Sequence, residues 1–378
     1  MKSNKKVFLL GPAHPFRGGI ADTQNQLAQN LKLLGYQVFV YTFTKQYPNF
    51  FFPGKTQFSD EQPPNAIKIE RKIHSYKPSN WNKVAQTINA EKPDTVIFRY
   101  WSPVLAPCWS GIARNLDKEI KKIGLIDNWK PHEKKPWDSL LTRMFSKQMN
   151  GFATFSSSVG QQIESTLPNS PVWKGFHPIA DNLPPMIPKE KARKILGWPE
   201  NKKIVLFFGL IRKYKGLDLL IAAFSKQPLN KSDVILAIVG EAYESEIKYM
   251  EMIESLALKD RVLLDLNYAT TEKARLVFSA ADLVAQTYRS ATQSGVTPMA
   301  YHFQVPLLVS DIPSLKTPVL EDSTGEICKI NPQEIAERLS YMFSGDVLTR
   351  CKSAFLKLKN KYQWRTFGKS LMAFINRI

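Results

Sequence analysis

Cysteines are scarce in this sequence, and it has no long apolar run. The three cysteines among 378 residues are Cys108, Cys328 and Cys351. Their odd number and wide spacing argue against a disulfide framework and a cysteine-rich metal cluster, and favour reduced thiols in the cytoplasm. No stretch of about 18 apolar residues occurs, so the sequence predicts no membrane-spanning helix.

Acidic residues are outnumbered by basic ones. The chain has 52 Lys and Arg against 33 Asp and Glu, a formal net charge of +19. Such a charge attracts anions: nucleic acid, phosphate-bearing substrates or an acidic lipid surface. The basic residues form no motif of a known nucleic-acid-binding module, so we expect no nucleic-acid partner. A basic surface that only keeps the protein in solution is the plain alternative.

Strand-like apolar runs alternate with amphipathic helical patterns along the chain. Short buried strands that alternate with helices predict parallel sheets with crossover helices. The series restarts after a proline-rich stretch at 176–192. The predicted fold class is therefore α/β, with two Rossmann-like domains whose parallel sheets face a central cleft. The expected boundaries are a first domain at 1–178, a linker at 179–190, a second domain at 191–358 and a C-terminal helix at 359–378.

Two glycines lie between the first strand and the first helix, in the stretch PFRGGIA. Gly18 and Gly19 would let the backbone approach a ligand, and the helix N-terminus that follows favours a phosphate. The spacing differs from the G-x-G-x-x-G pattern of dinucleotide-binding proteins, so we expect no nicotinamide and no other bound cofactor. A tight turn without a ligand would explain the two glycines almost as well.

A second glycine turn, in FFGLIRKYKGLDLLIAAF, carries two cations. A buried strand ends at Gly209, and Arg212 and Lys215 follow on the loop before the next helix. This spacing suits a diphosphate, since Arg offers a planar fork and Lys a point charge. A loop that is basic for solubility is the alternative, because Lys213 adds a third charge.

The stretch YRSATQSGVTPMAYHFQVPLLVSD predicts a turn, a helix and a strand. Pro298 lacks an N–H and is expected in the first turn of the helix. The free amides at the helix start and the neutral side chains before it form a candidate anion cradle. Its predicted members are Gln293, Ser294, Gly295 and Val296. No acidic side chain precedes the final aspartate of the stretch.

The order of these motifs resembles the retaining glycosyltransferase family 4, which has the GT-B fold. The resemblance rests on GGIA, FFGLIRKYKGLDLLI, IVGE, FSAADLVAQTYRSATQSG and PLLVSD. It implies sugar transfer from a nucleotide-diphosphate sugar without a metal, with the donor on the second domain, the acceptor on the first, and the last helix returning to the first. It also implies that Arg212 and Lys215 contact the diphosphate, and that Gly18 and Gly19 approach the phosphates or the sugar.

The sequence departs from that family where two glutamates, eight positions apart, are usual. Counted back from Pro306, those positions hold Ala291 and Met299. The family's glutamate contacts to the donor sugar and to the ribose are therefore not expected here. The alternative that this departure implies is a catalytically eroded GT-B protein, acting as a nucleotide-sugar-binding protein or a partner subunit.

The segment IGLIDNWKPHEKKPW resembles the part of the family's first domain that brings polar residues to the acceptor. In family terms, Asp127 or His132 positions or deprotonates the acceptor hydroxyl. The structural alternative is that Glu133 pairs with nearby lysines and His132 caps the next helix.

These patterns together predict a metal-independent, hexosyltransferase-type glycosyltransferase in the synthesis of a cell-surface polysaccharide or glycoconjugate. The expected donor is a UDP- or GDP-sugar, and the expected acceptor is a glycan or a lipid-linked acceptor. The basic charge and the aromatic run at 50–52 would suit peripheral contact with an anionic membrane, at its inner face. A sugar-nucleotide epimerase would need an acid and a base flanking the sugar, and the sequence shows no convincing pair.

Overall fold

The chain forms two compact units. The first consists of Met1–Pro178 with Tyr362–Ile378, and the second of Ile179–Lys361. The computed structural model describes residues 5–46, 58, 62, 67–130, 135–179, 183–243, 245–292, 294–358 and 360–378. His132, Gln293 and residues 50–52 lie outside these ranges. In the described part of the chain, no helix is long and apolar enough to cross a membrane.

A parallel sheet with helices forms the first unit. Its strands are β1 (Lys6–Leu10), β2 (Gln37–Lys45), β3 (Lys68–His74), β4 (Thr95–Tyr100), β5 (Lys121–Ile126), β6 (Gly151–Thr154) and β7 (Val172–Lys174). Its helices are α1 (Gly19–Leu33), α2 (Pro78–Ala90), α3 (Ala106–Arg114), α4 (Asp138–Ser146), α5 (Ser157–Thr166) and, at the end of the chain, α14 (Trp364–Arg377). The strand order is β3-β2-β1-β4-β5-β6-β7, and all neighbours run parallel.

The second unit repeats this design. Its strands are β8 (Lys203–Phe208), β9 (Val234–Val239), β10 (Val262–Asp265), β11 (Leu283–Gln286), β12 (Leu307–Ser310) and β13 (Gly325–Cys328). Its helices are α6 (Lys189–Leu196), α7 (Leu217–Phe224), α8 (Glu246–Ser255), α9 (Thr271–Ala280), α10 (Val296–His302), α11 (Pro313–Glu321), α12 (Pro332–Met342) and α13 (Val347–Phe355). The order β10-β9-β8-β11-β12-β13 is again all parallel.

Helix α14 packs in the first unit, although it follows the second unit in the chain. Trp364, Phe367 and Leu371 are buried in a cluster with apolar residues of β1 and α1. The ring of Phe367 stacks on that of Phe155, with centroids 5.0 Å apart. This burial of aromatic surface is large enough to hold the C-terminal helix on the first unit.

Part of the segment predicted as a linker is bound to the second unit. The carbonyl of Pro184 accepts a hydrogen bond from His302, and that of Pro185 accepts one from Arg275. The amide of Ile187 donates to the hydroxyl of Ser279. Helix α6 then begins at Lys189, so the chain is already part of the second unit before residue 191.

Candidate functional site

The loop after β8 brings two backbone segments into close contact. Gly209 follows β8 with φ +92°, and Gly240 follows β9 with φ +145°, in the region that favours glycine. A Cβ atom at Gly240 would lie 2.2 Å from the carbonyl oxygen of Gly209. A Cβ atom at Gly209 would lie 3.3 Å from the Nζ atom of Lys215. Glycine at both positions therefore allows the loop to close beside the lysine.

Lys215 is a buried cation. The residue is 8% exposed, and its Nζ atom lies 5.6 Å from the centre of the Tyr288 ring. Within the described ranges, no carboxylate pairs with this ammonium. Burial, and then repulsion from Arg212, lowers the pKa of Lys215 from 10.5 to about 8. An anion beside this group would therefore stabilise its charged form.

Arg212 lies on the same loop but is exposed. Its guanidinium carbon lies 4.7 Å from the centre of the Tyr243 ring. The amide of Tyr243 donates to the carbonyl of Ile211, which joins the loop after β9 to the loop after β8. Because a cation–π contact does not use the N–H groups to pair with a carboxylate, the guanidinium can still donate to an anion.

The loop after β11 anchors this cation-bearing loop. Gly216 has φ +63°, and a Cβ atom there would lie 2.1 Å from the carbonyl oxygen of Thr287. The hydroxyl of Thr287 donates to the carbonyl of Gly216 at 3.0 Å. The amide of Arg289 donates to the carbonyl of Tyr214, and its guanidinium forms a two-point pair with Asp218 at 2.7 and 2.6 Å. The loops that follow the neighbouring strands β8 and β11 together hold Lys215 in place.

The start of α10 reaches the same place. A Cβ atom at Gly209 would lie 3.7 Å from a methyl carbon of Val296, the first residue of α10. The Val296 amide donates to the hydroxyl oxygen of Ser294 at 3.2 Å, and that oxygen lies 3.5 Å from the Tyr288 hydroxyl. A Cβ atom at Gly295 would meet nothing within 4 Å. The predicted cradle residues Ser294, Gly295 and Val296 therefore lie beside Gly209 and the Tyr288–Lys215 contact.

Pro298 is the third residue of α10, within the first turn that its chemistry predicted. Behind it, the amide side chain of the fully buried Gln286 bonds to the hydroxyl of Thr297 at 3.1 Å. The carbonyl of Ala291 accepts a hydrogen bond from the hydroxyl of Ser314 at 2.8 Å. Neutral groups thus hold this turn against β11 and α11.

The glycine turn of the first unit is open. Gly18 has φ +106° and precedes α1 as its N-cap, so glycine is required there by backbone conformation. Cβ atoms at Gly18 and Gly19 would meet nothing within 4 Å among the described residues. No close packing in that part of the structure explains Gly19, and the donor contact predicted for the pair stays a prediction.

Asp127 lies in a buried ion pair at the end of β5. Its carboxylate accepts from Nε and Nη2 of Arg99 at 2.5 and 2.7 Å, and both residues are 1% exposed. Arg99 also donates to the hydroxyl of Thr23 on α1 at 2.9 Å, and its guanidinium carbon lies 4.4 Å from the centre of the Phe155 ring. This geometry favours a structural role for Asp127, and the catalytic role predicted for it stays untested.

Sequence reasoning missed three residues of these sites: Arg99, Tyr243 and Tyr288. A signal for Arg99 was present, because a single charge inside the apolar strand TVIFRY needs a buried partner. Tyr288 and Tyr243 each follow a strand at its carboxyl end, where side chains face the ligand edge of a parallel sheet.

Solved structures with the same fold match 99% of this chain. Sucrose-phosphate synthase from Thermosynechococcus elongatus superposes with a TM-score of 0.76 at 14% identity, over 99% of each chain. The Anabaena protein Alr3699/HepE in complex with UDP-glucose superposes with a TM-score of 0.75 at 17% identity, over 99% of this chain and all of the other. The chain has the GT-B fold. The prediction of two Rossmann-like α/β units with parallel sheets is thereby confirmed, while the predicted cleft between them stays a prediction.

Within this GT-B chain, residues 188–354 match the family described as Glycosyl transferases group 1. That stretch contains Gly209, Arg212, Lys215 and α10. A D-inositol 3-phosphate glycosyltransferase from Segniliparus rotundus is 27% identical over 190 residues, which are 49% of this chain and 42% of the relative. The chain spans less than half of the length of this curated relative.

Proposed function

We propose that the chain is a glycosyltransferase whose second unit binds the diphosphate of a nucleotide-diphosphate sugar at Arg212 and Lys215. The observation that carries this proposal is Lys215, a buried ammonium without a carboxylate partner among the described residues, beside the end of a parallel strand. Ligands of parallel α/β sheets bind at that edge. The match of residues 188–354 to Glycosyl transferases group 1 supports the same assignment.

A diphosphate would meet two different cations at this loop. A phosphate oxygen near Lys215 would raise the pKa of its ammonium and remove the destabilising effect of a buried, uncompensated charge. Arg212, which lies over the Tyr243 ring, would offer two parallel N–H groups to the same or the neighbouring phosphate. Both interactions strengthen as negative charge builds on the departing diphosphate, which is where electrostatic catalysis acts most strongly.

Neutral donors would complete the phosphate site. The hydroxyl of Ser294 and the amides of Gly295 and Val296 lie at the start of α10. Because the Val296 amide already donates to the Ser294 oxygen, a phosphate would either displace that oxygen or accept from the Ser294 hydroxyl. We also assign Gln293, Gly18, Gly19 and Gly209 to donor binding as part of this proposal.

Transfer is proposed to proceed with retention and without a metal. In a front-face mechanism, the leaving phosphate itself accepts the proton of the acceptor hydroxyl. Ala291 and Met299, at the positions of the family's glutamates, therefore leave this step intact. They remove acidic contacts to the sugar and to the ribose, so most of the donor affinity is expected to come from the diphosphate.

A UDP-sugar is the first donor to test, since the Anabaena structure contains UDP-glucose; a GDP-sugar is the other candidate. The proposed acceptor is a glycan or a lipid-linked acceptor for a cell-surface polysaccharide or glycoconjugate. The net charge of +19 suits an acceptor that carries phosphate, or one held at an anionic membrane. The Segniliparus relative is itself named for a phosphate-bearing compound, D-inositol 3-phosphate.

Calorimetric titration with UDP and GDP tests the phosphate site. Arg212→Ala and Lys215→Met should each weaken binding at least about tenfold, because each removes a charge-assisted contact. Lys226→Met is the matched control, since this exposed lysine lies in the same unit, beyond α7. Undiminished binding in the Arg212→Ala, Lys215→Met double variant would contradict the assignment.

Release of UDP or GDP from a panel of nucleotide sugars tests catalysis separately. The proposal expects release by the wild type, faster with a suitable acceptor, and a loss of release in Lys215→Met at saturating donor. Tight nucleotide binding without release from any sugar would favour the catalytically eroded alternative.

A further inference from the structure

The second unit contains a cavity at the sheet edge opposite the proposed donor loop. Its volume is about 290 Å³. It lies before β11 and β12, at their amino ends, whereas the loop with Lys215 follows the carboxyl end of β8. The lining comes from residues 186–189 at the start of α6, from the end of α9, from residues 303–305 after α10, and from Lys352 on α13.

Apolar side chains form much of the cavity wall. Phe278 and Phe303 are both buried, and their rings stack with centroids 5.3 Å apart. Ala281 and Val305 add small aliphatic groups. In front of these buried groups, Met186, which is 49% exposed, and the half-buried Ile187 offer apolar surface that a ligand can reach, which favours an aliphatic chain in the ligand.

Cations outnumber carboxylates beside the cavity. The carboxylate of Asp282 pairs with Lys189 and Arg193 and accepts a hydrogen bond from the amide of Ile204 at 2.8 Å, so its charge is already compensated. Lys352 has no carboxylate partner in the described part of the chain. The Lys352 side chain is exposed, and desolvation by the groups around its base, followed by repulsion from Lys189, lowers its pKa. A negatively charged group would be stabilised here.

We propose that this cavity binds a small amphiphilic anion, with its apolar body against Met186 and Ile187 and its phosphate or carboxylate at Lys352. The volume lies just below the usual range of ligand pockets, about 300–1,000 Å³, which favours a short chain or a single ring. A free phosphate ester and the head of a phospholipid share this chemistry. The site uses no residue of the proposed donor loop, so it is independent of the proposed function.

Hexyl phosphate is a suitable probe, with inorganic phosphate and hexanol as its two halves. In calorimetric titration, hexyl phosphate should bind at least about tenfold more tightly than either half. Lys352→Met, which removes the charge and keeps an unbranched side chain, and Ala281→Leu, which fills the cavity, should each weaken binding about tenfold or more. Lys357→Met, at an exposed lysine shortly after α13, should leave it unchanged.

Equal affinity for hexyl phosphate and either half would overturn the proposal, and so would undiminished binding in both cavity variants. Phosphatidylcholine vesicles that contain phosphatidic acid distinguish a phospholipid ligand from a free phosphate ester. Displacement of hexyl phosphate by the vesicles would identify a phospholipid as the ligand, and no displacement would identify a free ester. Lys215→Met should retain hexyl phosphate binding while it loses UDP binding. Failure of one proposal is therefore distinguishable from failure of the other.

Discussion

Gly209 lies directly against Lys215, so that a Cβ atom at Gly209 would be 3.3 Å from the lysine Nζ. Because Gly209 has no side chain, the Lys215 ammonium lies beside the Gly209 backbone and the Tyr288 ring. This relationship links the backbone conformation of the loop to the electrostatics of the proposed phosphate site, and the first three predictions test it.

Gly209→Ala should weaken UDP binding at least about tenfold, because the new methyl group crowds Lys215. It should also lower the free energy of unfolding by at least about 1 kcal/mol, since an L-residue is strained at φ +92°. Gly345→Ala is the control: its φ is +55° and its Cβ would meet nothing within 4 Å, so only the strain is introduced. Calorimetry and urea unfolding measure both effects. An unchanged UDP affinity in Gly209→Ala would contradict the prediction that the methyl group crowds the Lys215 ammonium.

Lys215→Met should stabilise the ligand-free protein below pH 8. Folding lowers the pKa of Lys215 from 10.5 to about 8, so the unfolded chain holds this proton more tightly. The buried ammonium therefore costs up to about 3 kcal/mol below pH 8, and this cost declines as the pH rises from 8 to 10.5. Chemical denaturation should show a larger gain for the variant at pH 7 than at pH 10. The same gain at both pH values would count against a lowered pKa.

UDP affinity should fall as the pH rises through about 8. Above that value the free protein loses the Lys215 proton, and the diphosphate prefers the charged form, so the dissociation constant should increase by up to about tenfold per pH unit. Titrations between pH 7 and 9.5 measure this, and Lys215→Met should give a flatter profile. An equally steep profile in the variant would assign the dependence to another group.

Asp127→Asn should lower the free energy of unfolding by about 3–5 kcal/mol, because it leaves Arg99 buried without its anion. Asp233→Asn is the control, since its pair with Lys202 is exposed and should contribute little. Folded Asp127→Asn should keep its rate of transfer within about tenfold. An unchanged stability with a rate loss of 100-fold or more would instead restore the catalytic role.

Phe367→Ala should lower the free energy of unfolding of the first unit by about 3–5 kcal/mol. The ring is fully buried and stacks on Phe155, so its removal leaves a cavity between α14 and the sheet. Leu33→Ala is the matched control, because that side chain lies on α1 of the same unit and is 81% exposed. Denaturation followed by tryptophan fluorescence and by circular dichroism compares the two. Equal stability in both variants would mean that α14 adds little.

The strands that the apolar patterns did not predict are β3, β7 and β13. All three lie at sheet edges. An edge strand has a neighbour on one side only and is less buried, so β3 can carry the sequence KIERKIH without an apolar run. Central strands such as β4 and β9 are buried at every residue, and their sequences are correspondingly apolar.

Sequence patterns alone predict the parallel α/β class, the central strands, the first turn of α10 and the place of Arg212 and Lys215 after a strand. These follow from local chemistry: apolar periodicity, the missing N–H of Pro298 and the glycine turns. The partners of the buried charged groups depend on the tertiary structure. Asp127 and Lys215 both follow parallel strands, but Asp127 meets Arg99 from the neighbouring strand, whereas Lys215 meets Tyr288 and no carboxylate among the described residues. The pairing of a buried charge depends on residues distant in the chain, and spacing in one sequence does not encode which of them come into contact.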